Sequence, residues 1–289
     1  MRNIRRLLDW FYPRVCPGCQ MPSDREERYW CWDCLSTIAL FDEKGKCSIC
    51  GHPSEGAVSH AFVCGACRAH KPAFDRARAA ADFRGTLQEQ IHAFKYNHAF
   101  WMKQDLCDVL QGALQAQFTT AAIDVVLPVP LFPTRQRERT YNQAALLAEE
   151  LAQRIDRRFD EQSLVRIRQT ETQTHFNATQ RRENMTGAFS VARPEWVRQR
   201  CVLLVDDVMT TGATLHECAK ALKNAGASTV WALTVARKRG DRVGKGLSGT
   251  CAGNGLAPRI QIEAEVACEG LCMRGVGQAR KHQEPSLCT

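Results

Sequence analysis

Apolar positions along the chain follow two patterns that alternate with each other. Short apolar runs at 77–83, 123–129, 202–205 and 229–235 read as strands, and the last three are nearly continuous in Val, Leu and Ile. Continuous runs of that length suit strands buried on both faces of a parallel sheet. Between them lie segments with helical spacing. Leu87, Ile91 and Phe94 mark a helix over 86–97, and 101–118 continues as a second. Leu147, Leu151 and Ile155 form one stripe of a helix over 142–155. A fourth helix over 213–225 stops at Gly226, a residue suited to the left-handed position after a helix. Strands alternating with helices predict βαβ units and an α/β parallel sheet flanked by helices. Residues 163–190 are polar, Arg-rich and weakly periodic, which predicts a long mobile loop flanked by short strands.

The pattern divides the chain in three. Residues 1–72 lack long apolar runs, 73–240 carry the alternating elements, and 241–289 are Gly- and Cys-rich with little periodicity, which predicts a disordered tail. With 289 residues, about two domains are expected. No run of about 18 apolar residues predicts a membrane span. The basic start, MRNIRRLLDWFYPRVC, lacks the apolar core of an export signal, so a cytoplasmic protein is expected. Ile4, Leu7, Leu8 and Phe11 lie at helical spacing there, which suits a helix docked on the following module or lying on a membrane surface.

Cysteine changes the picture most. Eight of the 15 cysteines fall in four Cys-x-x-Cys pairs: Cys16/Cys19, Cys31/Cys34, Cys47/Cys50 and Cys64/Cys67. Two intervening residues let both sulfurs turn toward one ion, and two such knuckles complete a tetrahedral thiolate shell for Zn²⁺. Two structural zinc sites are expected. Sequential use puts one ion on the first two pairs and one on the last two; interleaved use satisfies the same spacing. His52, His60 and His70 are possible substitute ligands that four complete pairs make unnecessary. A redox motif needs a single pair beside a βαβ unit, not four in tandem. Trp30 and Trp32 flank Cys31 and are expected to pack on the knuckle. Cys107, Cys201 and Cys218 lie in helix or strand patterns and read as core thiols.

The net charge of +8 favours anionic partners. The chemistry concentrates in Cys201-Val-Leu-Leu-Val-Asp-Asp-Val-Met-Thr-Thr-Gly-Ala-Thr214. A buried strand ends in Asp206 and Asp207, then a hydroxyl-rich turn opens a helix. Backbone N–H groups with Thr210, Thr211 and Thr214 would cradle an anion there, and Gly212 allows close approach. Carboxylates at the carboxyl end of a parallel strand sit where open α/β sheets bind ligands. Together these parts suit a ribose 5-phosphate. A Walker-type reading fails for want of a phosphate loop, since Gly240–Gly246 (GDRVGKG) has the wrong spacing.

The stretch VLLVDDVMTTGAT resembles the phosphoribosyl pyrophosphate (PRPP) motif of type I phosphoribosyltransferases. With the cysteine pairs in front, the chain resembles ComF-type competence proteins, which carry a double zinc ribbon. Phe94-Lys95-Tyr96, Pro128-Val129-Pro130-Leu131 and Arg139-Thr140-Tyr141-Asn142-Gln143 resemble the family's LKY, PVPL and RGFNQ segments, and Thr170, Gln173, Arg182 and Asn184 resemble its polar series. The resemblance implies a phosphoribosyltransferase-like sheet, a double zinc ribbon before it and a role in DNA uptake and transformation. It implies that Asp206 and Asp207 hold the ribose hydroxyls as catalytic residues. Thr210, Thr211, Gly212, Ala213 and Thr214 would wrap the 5-phosphate, and Arg135 or Arg139 would meet the pyrophosphate with Mg²⁺ bridging. The 166–187 segment would be a closing hood. Thr210 stands where base-using members carry Asp, and Thr140 stands in place of the RGFNQ glycine. Partners implied are PRPP or another phosphoribosyl ligand and the DNA-uptake machinery. The alternative is a non-catalytic protein that handles single-stranded DNA through its ribbon and Arg-rich surface.

Overall fold

The computed structural model describes residues 13–41, 45–54, 60–170 and 178–239. The basic start, residues 171–177 of the expected hood and the 241–289 tail lie outside the described residues.

Five strands form a wholly parallel sheet: β1 (Arg76–Asp82), β2 (Val125–Pro128), β3 (Arg158–Phe159), β6 (Cys201–Met209) and β7 (Thr229–Arg237), in the order β1-β7-β6-β2-β3. A separate antiparallel pair joins β4 (Leu164–Arg166) to β5 (Phe189–Val191). Successive side chains of a strand face opposite ways. In β6, Leu203 and Val205 join one apolar layer while Val202 and Leu204 join the other. The first layer is built by α3 (Gly85–Tyr96), α4 (Lys103–Gln117) and α6 (Gln143–Arg154), through Phe94, Leu106, Leu110, Leu147 and Leu151. The second is built by α8 (Ala213–Asn224), through Leu215, Cys218 and Leu222, together with the β4–β5 pair. Cys107 and Cys218 are fully buried and Cys201 nearly so, as core thiols.

Three elements depart from the sequence expectation. Strand β6 does not end at the acidic pair Asp206–Asp207; its ladder with β7 continues to Met209 opposite Arg237. Two acidic residues hid that extension, because the pattern stops where apolarity stops. The 163–190 segment is not all loop: it contains α7 (Ala178–Met185), whose sequence ATQRRENM has almost no apolar face to reveal it. The stretch after β2 contains α5 (Pro133–Arg139), with Pro133 in the first helical position.

The cysteine-rich segment straddles the β1 edge of the sheet. Its first half joins the α3/α4 layer through Cys16, Trp30 and Cys31, and its second half joins the α8 layer through Cys47, Cys50 and Cys67. Two short helices follow knuckles, α1 (Trp32–Ser36) and α2 (Gly65–Ala69). Between the halves the chain hydrogen-bonds to β1: Phe41 N–H donates to Ala80 O (2.9 Å), Asp82 N–H to Ala39 O (2.9 Å) and Ala77 N–H to Ile49 O (2.7 Å). A parallel sheet thereby loses an open edge, which would otherwise template pairing with another chain.

The first half is also tied down by charge. Asp105 on α4 is fully buried and accepts from Arg25 Nη1 (2.9 Å), Tyr29 N–H (2.9 Å) and Trp30 N–H (3.3 Å). Asp108 receives Arg25, Arg28 and Arg154. Burial works to raise the Asp108 carboxyl, but these guanidiniums outweigh it and hold it below its ordinary range. Trp30 is buried as expected, whereas Trp32 is exposed, with the Arg25 guanidinium 4.9 Å from its ring centre.

Thr140 ends α5 at φ +66°, ψ −17°. A β-branched residue in that left-handed region is strained by about 1–2 kcal/mol, and glycine is not. Glycine also costs about 0.4–1 kcal/mol through the freedom of the unfolded chain. Thr140→Gly is therefore expected to stabilise the protein by up to about 1 kcal/mol, a rise of roughly 2–4 °C in melting temperature by calorimetry. A fall in Tm would refute the strain.

Candidate functional site

Cysteine geometry comes first. The ligand atoms of Cys16, Cys19, Cys31 and Cys34 lie within 4.8 Å of one another, and so do those of Cys47, Cys50, Cys64 and Cys67. The sequential pairing is the one the fold forms. A tetrahedral shell with Zn–S near 2.3 Å spaces its sulfurs about 3.8 Å apart. Cys19 Sγ and Cys31 Sγ are 3.7 Å apart, and Cys50 Sγ and Cys64 Sγ are 3.6 Å apart, so the residues fit zinc and are too far apart for disulfides. Backbone N–H groups support the thiolates: Cys31 N–H donates to Cys16 Sγ (3.4 Å), and Cys64 N–H to Cys47 Sγ (3.3 Å). Burial works against the Cys16 thiolate, but the amides around it bring the thiol down to about 7. Both shells are complete without a histidine.

Two features of the sheet locate the second site. From β2 the chain passes through α6 to β3, away from β6. From β6 it passes through α8 to β7, in the opposite direction. The order reverses between β2 and β6, and open α/β sheets bind ligands in the crevice at such a reversal. In addition, β2 ends with Pro128 opposite Val205, whereas β6 runs on to Met209. Asp206 and Asp207 therefore stand beyond the end of β2. The two-residue alternation also slips across them, because Val205 and Val208 both join the α3/α4 layer.

The environment of the acidic pair is electrostatically uneven. Lys95 Nζ lies 2.9 Å from Asp207 Oδ1. Asp206 Oδ1 accepts from the Asp207 N–H (2.9 Å). Burial raises the Asp206 carboxyl to about 7, the Asp207 charge adds to this, and Lys95 and Arg139 only partly offset it. Lys95 is the ion-pair partner of Asp207, a contact that the motif reading left as part of a helix signature. Its signal was a lysine one residue after a core position, Phe94, at the end of an otherwise apolar helix face.

The Arg139–Gln143 segment positions that lysine. Gln143 Nε2 donates to Lys95 O (3.3 Å), and the Tyr141 hydroxyl donates to Phe94 O. Arg139 donates to Gln143 Oε1 (3.0 Å) and to the Tyr96 hydroxyl (3.3 Å), with its guanidinium 5.1 Å from the Tyr96 ring centre. Asn142 faces both ways: its Nδ2 donates to Val129 O (3.1 Å) and its Oδ1 caps α6 by accepting from Ala144 N–H (3.1 Å). Each residue of the segment except Thr140 thus fastens α3 or the end of β2 to the start of α6. Arg135 and Arg139, with Lys95, Tyr96, His98 and Glu138, surround a depression of about 240 Å³. The structure brings both predicted arginines to the end of α3.

On the β6 side, Thr210 and Thr211 are exposed, and Gly212 stands at φ +81° at the N-terminus of α8. A Cβ at Gly212 would lie 2.6 Å from Met209 Cε as well as being strained, so the turn admits no other residue without repacking. Ala213 N–H donates to Thr211 Oγ1 (3.4 Å). Thr214 begins the helix in a half-buried position. The turn can offer hydroxyls and helix-start amides to an anion. Arg166 is a second residue that motif reading passed over. It stacks 5.5 Å from the Phe189 ring centre, donates to Thr170, and has a buried Nε with no partner among the described residues.

Residues 7–68 match the double zinc ribbon domain model and residues 142–245 the phosphoribosyl transferase domain model. Competence protein F of Haemophilus influenzae is 35% identical over 191 residues, covering 64% of this chain and 83% of that protein. DNA utilization protein YhgH of Escherichia coli O6:H1 is 33% identical over 226 residues, covering 76% of this chain and 96% of that protein. Competence protein ComFC of Bacillus subtilis is 26% identical over 217 residues, covering 72% and 83%. With its ribbon and the later strands of its sheet each matched, and YhgH covered almost end to end, the chain belongs to the ComF/YhgH family of double-zinc-ribbon proteins with a phosphoribosyltransferase fold.

Proposed function

We propose that the protein binds PRPP or a related phosphoribosyl ligand at the β2/β6 crevice and serves DNA uptake and transformation in natural competence, from the cytoplasm. The observation that carries the ligand reading is the extension of β6, which sets an acidic pair and a hydroxyl-rich helix start on one side of the strand-order reversal. Asp206 and Asp207 would hold the ribose hydroxyls, Thr210 to Thr214 the 5-phosphate, and Arg135 and Arg139 the pyrophosphate. Mg²⁺ would accompany the ligand on its pyrophosphate and ribose oxygens, where it would neutralise phosphate charge. As an enzyme, the protein would be a phosphoribosyltransferase. The relatives named for competence and DNA utilization support the cellular role. No helix among the described residues is long and apolar enough to cross a membrane.

A second reading, direct handling of single-stranded DNA, has one observation of its own. Tyr96 lines the depression with Arg135 and Arg139, Phe100 stacks 5.8 Å from His98 of its rim, and Trp101 follows it in sequence; all three aromatic residues are exposed. Aromatic faces interleaved with arginines stack bases. Binding of an oligonucleotide through several phosphates is expected to weaken by orders of magnitude, roughly 10³-fold or more, between about 50 and 200 mM salt. Phe100→Ala with Trp101→Ala should weaken it further at fixed salt; unchanged affinity in a fluorescence-anisotropy titration would count against this surface.

PRPP with Mg²⁺ is expected to raise the melting temperature, and Asp206→Asn with Asp207→Asn to abolish the rise. No shift of the wild-type protein at saturating PRPP would sink the ligand reading. The Asp206 carboxyl adds a pH signature. Its folded pKa lies above its unfolded value, so the native state holds the extra proton and stability falls as pH rises from about 4 to about 7. Asp206→Asn removes that loss, so the ligand-free variant should melt above wild type at pH 8 and close to it at pH 4. Equal melting temperatures at pH 8 would show that Asp206 is not strained. Metal analysis of the purified protein should find two zinc ions per chain, with serine at Cys16 or at Cys50 each removing one.

A further inference from the structure

A cavity of about 660 Å³ is lined by the Thr210–Ala213 turn, and neither Asp206 nor Asp207 lines it. Its floor is apolar, formed by Pro72, Phe74 and Met209. One wall is the turn itself with His216 of α8. The opposite wall is the second cysteine knuckle, where Cys64, Gly65, Ala66 and Cys67 open α2. The ribbon thus supplies half of a ligand-sized enclosure, beyond its part in covering the β1 edge.

The charge of this enclosure is one-sided. Among the described residues, no aspartate or glutamate lines it. The neighbouring thiolate shell carries a formal charge of about −2 when it holds Zn²⁺. Two buried arginines sit against it. Arg237 Nη1 donates to Cys50 O (2.7 Å), with Nη2 3.9 Å from Cys50 Sγ. Arg78 donates to Ala77 O (2.8 Å) and reaches the knuckle carbonyls of Cys47 (3.4 Å) and Ser48 (3.3 Å). These two cations balance the ribbon. Lys71, Arg182 and Lys238 remain around the cavity, and none of the three forms a salt bridge with a described residue. His216 Nδ1 accepts from Ala73 N–H (3.0 Å), which leaves Nε2 as the N–H donor. Glu217, its neighbour in sequence, does not line the cavity; its Oε2 accepts from Gly187 N–H (2.9 Å) and its Oε1 lies 3.7 Å from His216 Nε2.

A neutral nucleobase presents N–H donors beside its ring-nitrogen and carbonyl acceptors; the acceptors could be met here, but the donors need protein acceptors, which a carboxylate side chain supplies best. This cavity offers mainly donors and cations over an apolar floor. We propose that it is a ligand subsite for a planar ring carrying carboxylate groups, an aromatic acid rather than a neutral base, with the second zinc ribbon as one of its walls. The subsite rests on the phosphoribosyl reading only in sharing the Thr210–Ala213 turn.

The test uses the full-length, zinc-loaded protein and isothermal titration at constant ionic strength. The probes are orotate and pyridine-2,3-dicarboxylate, with adenine as a neutral ring and succinate as an anion without a ring. Both aromatic acids should bind at least about tenfold more tightly than adenine or succinate, the scale of one charged hydrogen bond. Lys71→Glu with Lys238→Glu should weaken the acids by at least that factor. Ala66→Trp, on the ribbon wall, should block them. Zinc content and the ligand-free melting temperature confirm that each variant is folded. Adenine binding as well as the acids, succinate matching them, or variants that bind like wild type would overturn the proposal. PRPP is titrated in parallel. Acids that bind while PRPP does not would remove the phosphoribosyl reading and keep the subsite; PRPP binding without the acids would do the reverse.

Discussion

The candidate site depends on one strand outrunning its neighbour. β6 continues past the end of β2 at the place where the strand order reverses. The extension lifts Asp206 and Asp207 out of the ladder on one side while β7 still holds them on the other. Two adjacent carboxylates in a half-enclosed crevice repel each other and lose solvation. Lys95 relieves one of them, and the other is left with a raised pKa. That imbalance would be relieved by the cations or hydroxyls of the proposed ligand. The Arg139–Gln143 segment has its role because of this, since it holds the end of α3 and therefore Lys95 in place.

The zinc ribbons solve a different problem. A segment with few large apolar residues buries little core, and metal binding can supply about 10–16 kcal/mol of apparent folding free energy to such a module. The module then does more than fold. Its linker closes the β1 edge, its first half is bound to α4 through Arg25, Asp105 and Asp108, and its second half borrows Arg78 and Arg237 from the sheet. Ribbon and sheet are thus joined by apolar packing, edge hydrogen bonds and charge. Met209 links the two sites physically: its sulfur lies 3.4 Å from Arg237 Nη1, and its methyl group fills the space beside Gly212.

Legibility in the sequence followed the range of the interactions. Short-range chemistry was visible. Cys-x-x-Cys knuckles, the Asp-Asp-x-x-Thr-Thr-Gly turn and Gly226 after α8 are local devices whose spacing states their geometry. The buried strands and amphipathic helices were visible because burial imposes a period on the residues themselves. α7 and α5 were not, since a polar helix and an Arg-rich helix opened by Pro133 carry no apolar stripe. The end of β6 was misplaced because two carboxylates interrupt the apolar run where the backbone ladder continues.

By itself the sequence determined a two-part protein: four metal-binding knuckles before a parallel α/β sheet whose carboxyl end carries an acidic pair and a hydroxyl-rich turn opening a helix. Those properties need only neighbours along the chain or the burial of one face. The tertiary structure decided which knuckles share an ion, that Lys95 meets Asp207, and that the second ribbon walls a cation-lined cavity beside the turn. Each of these joins residues far apart in the chain, through a strand order and an edge contact that no local pattern encodes.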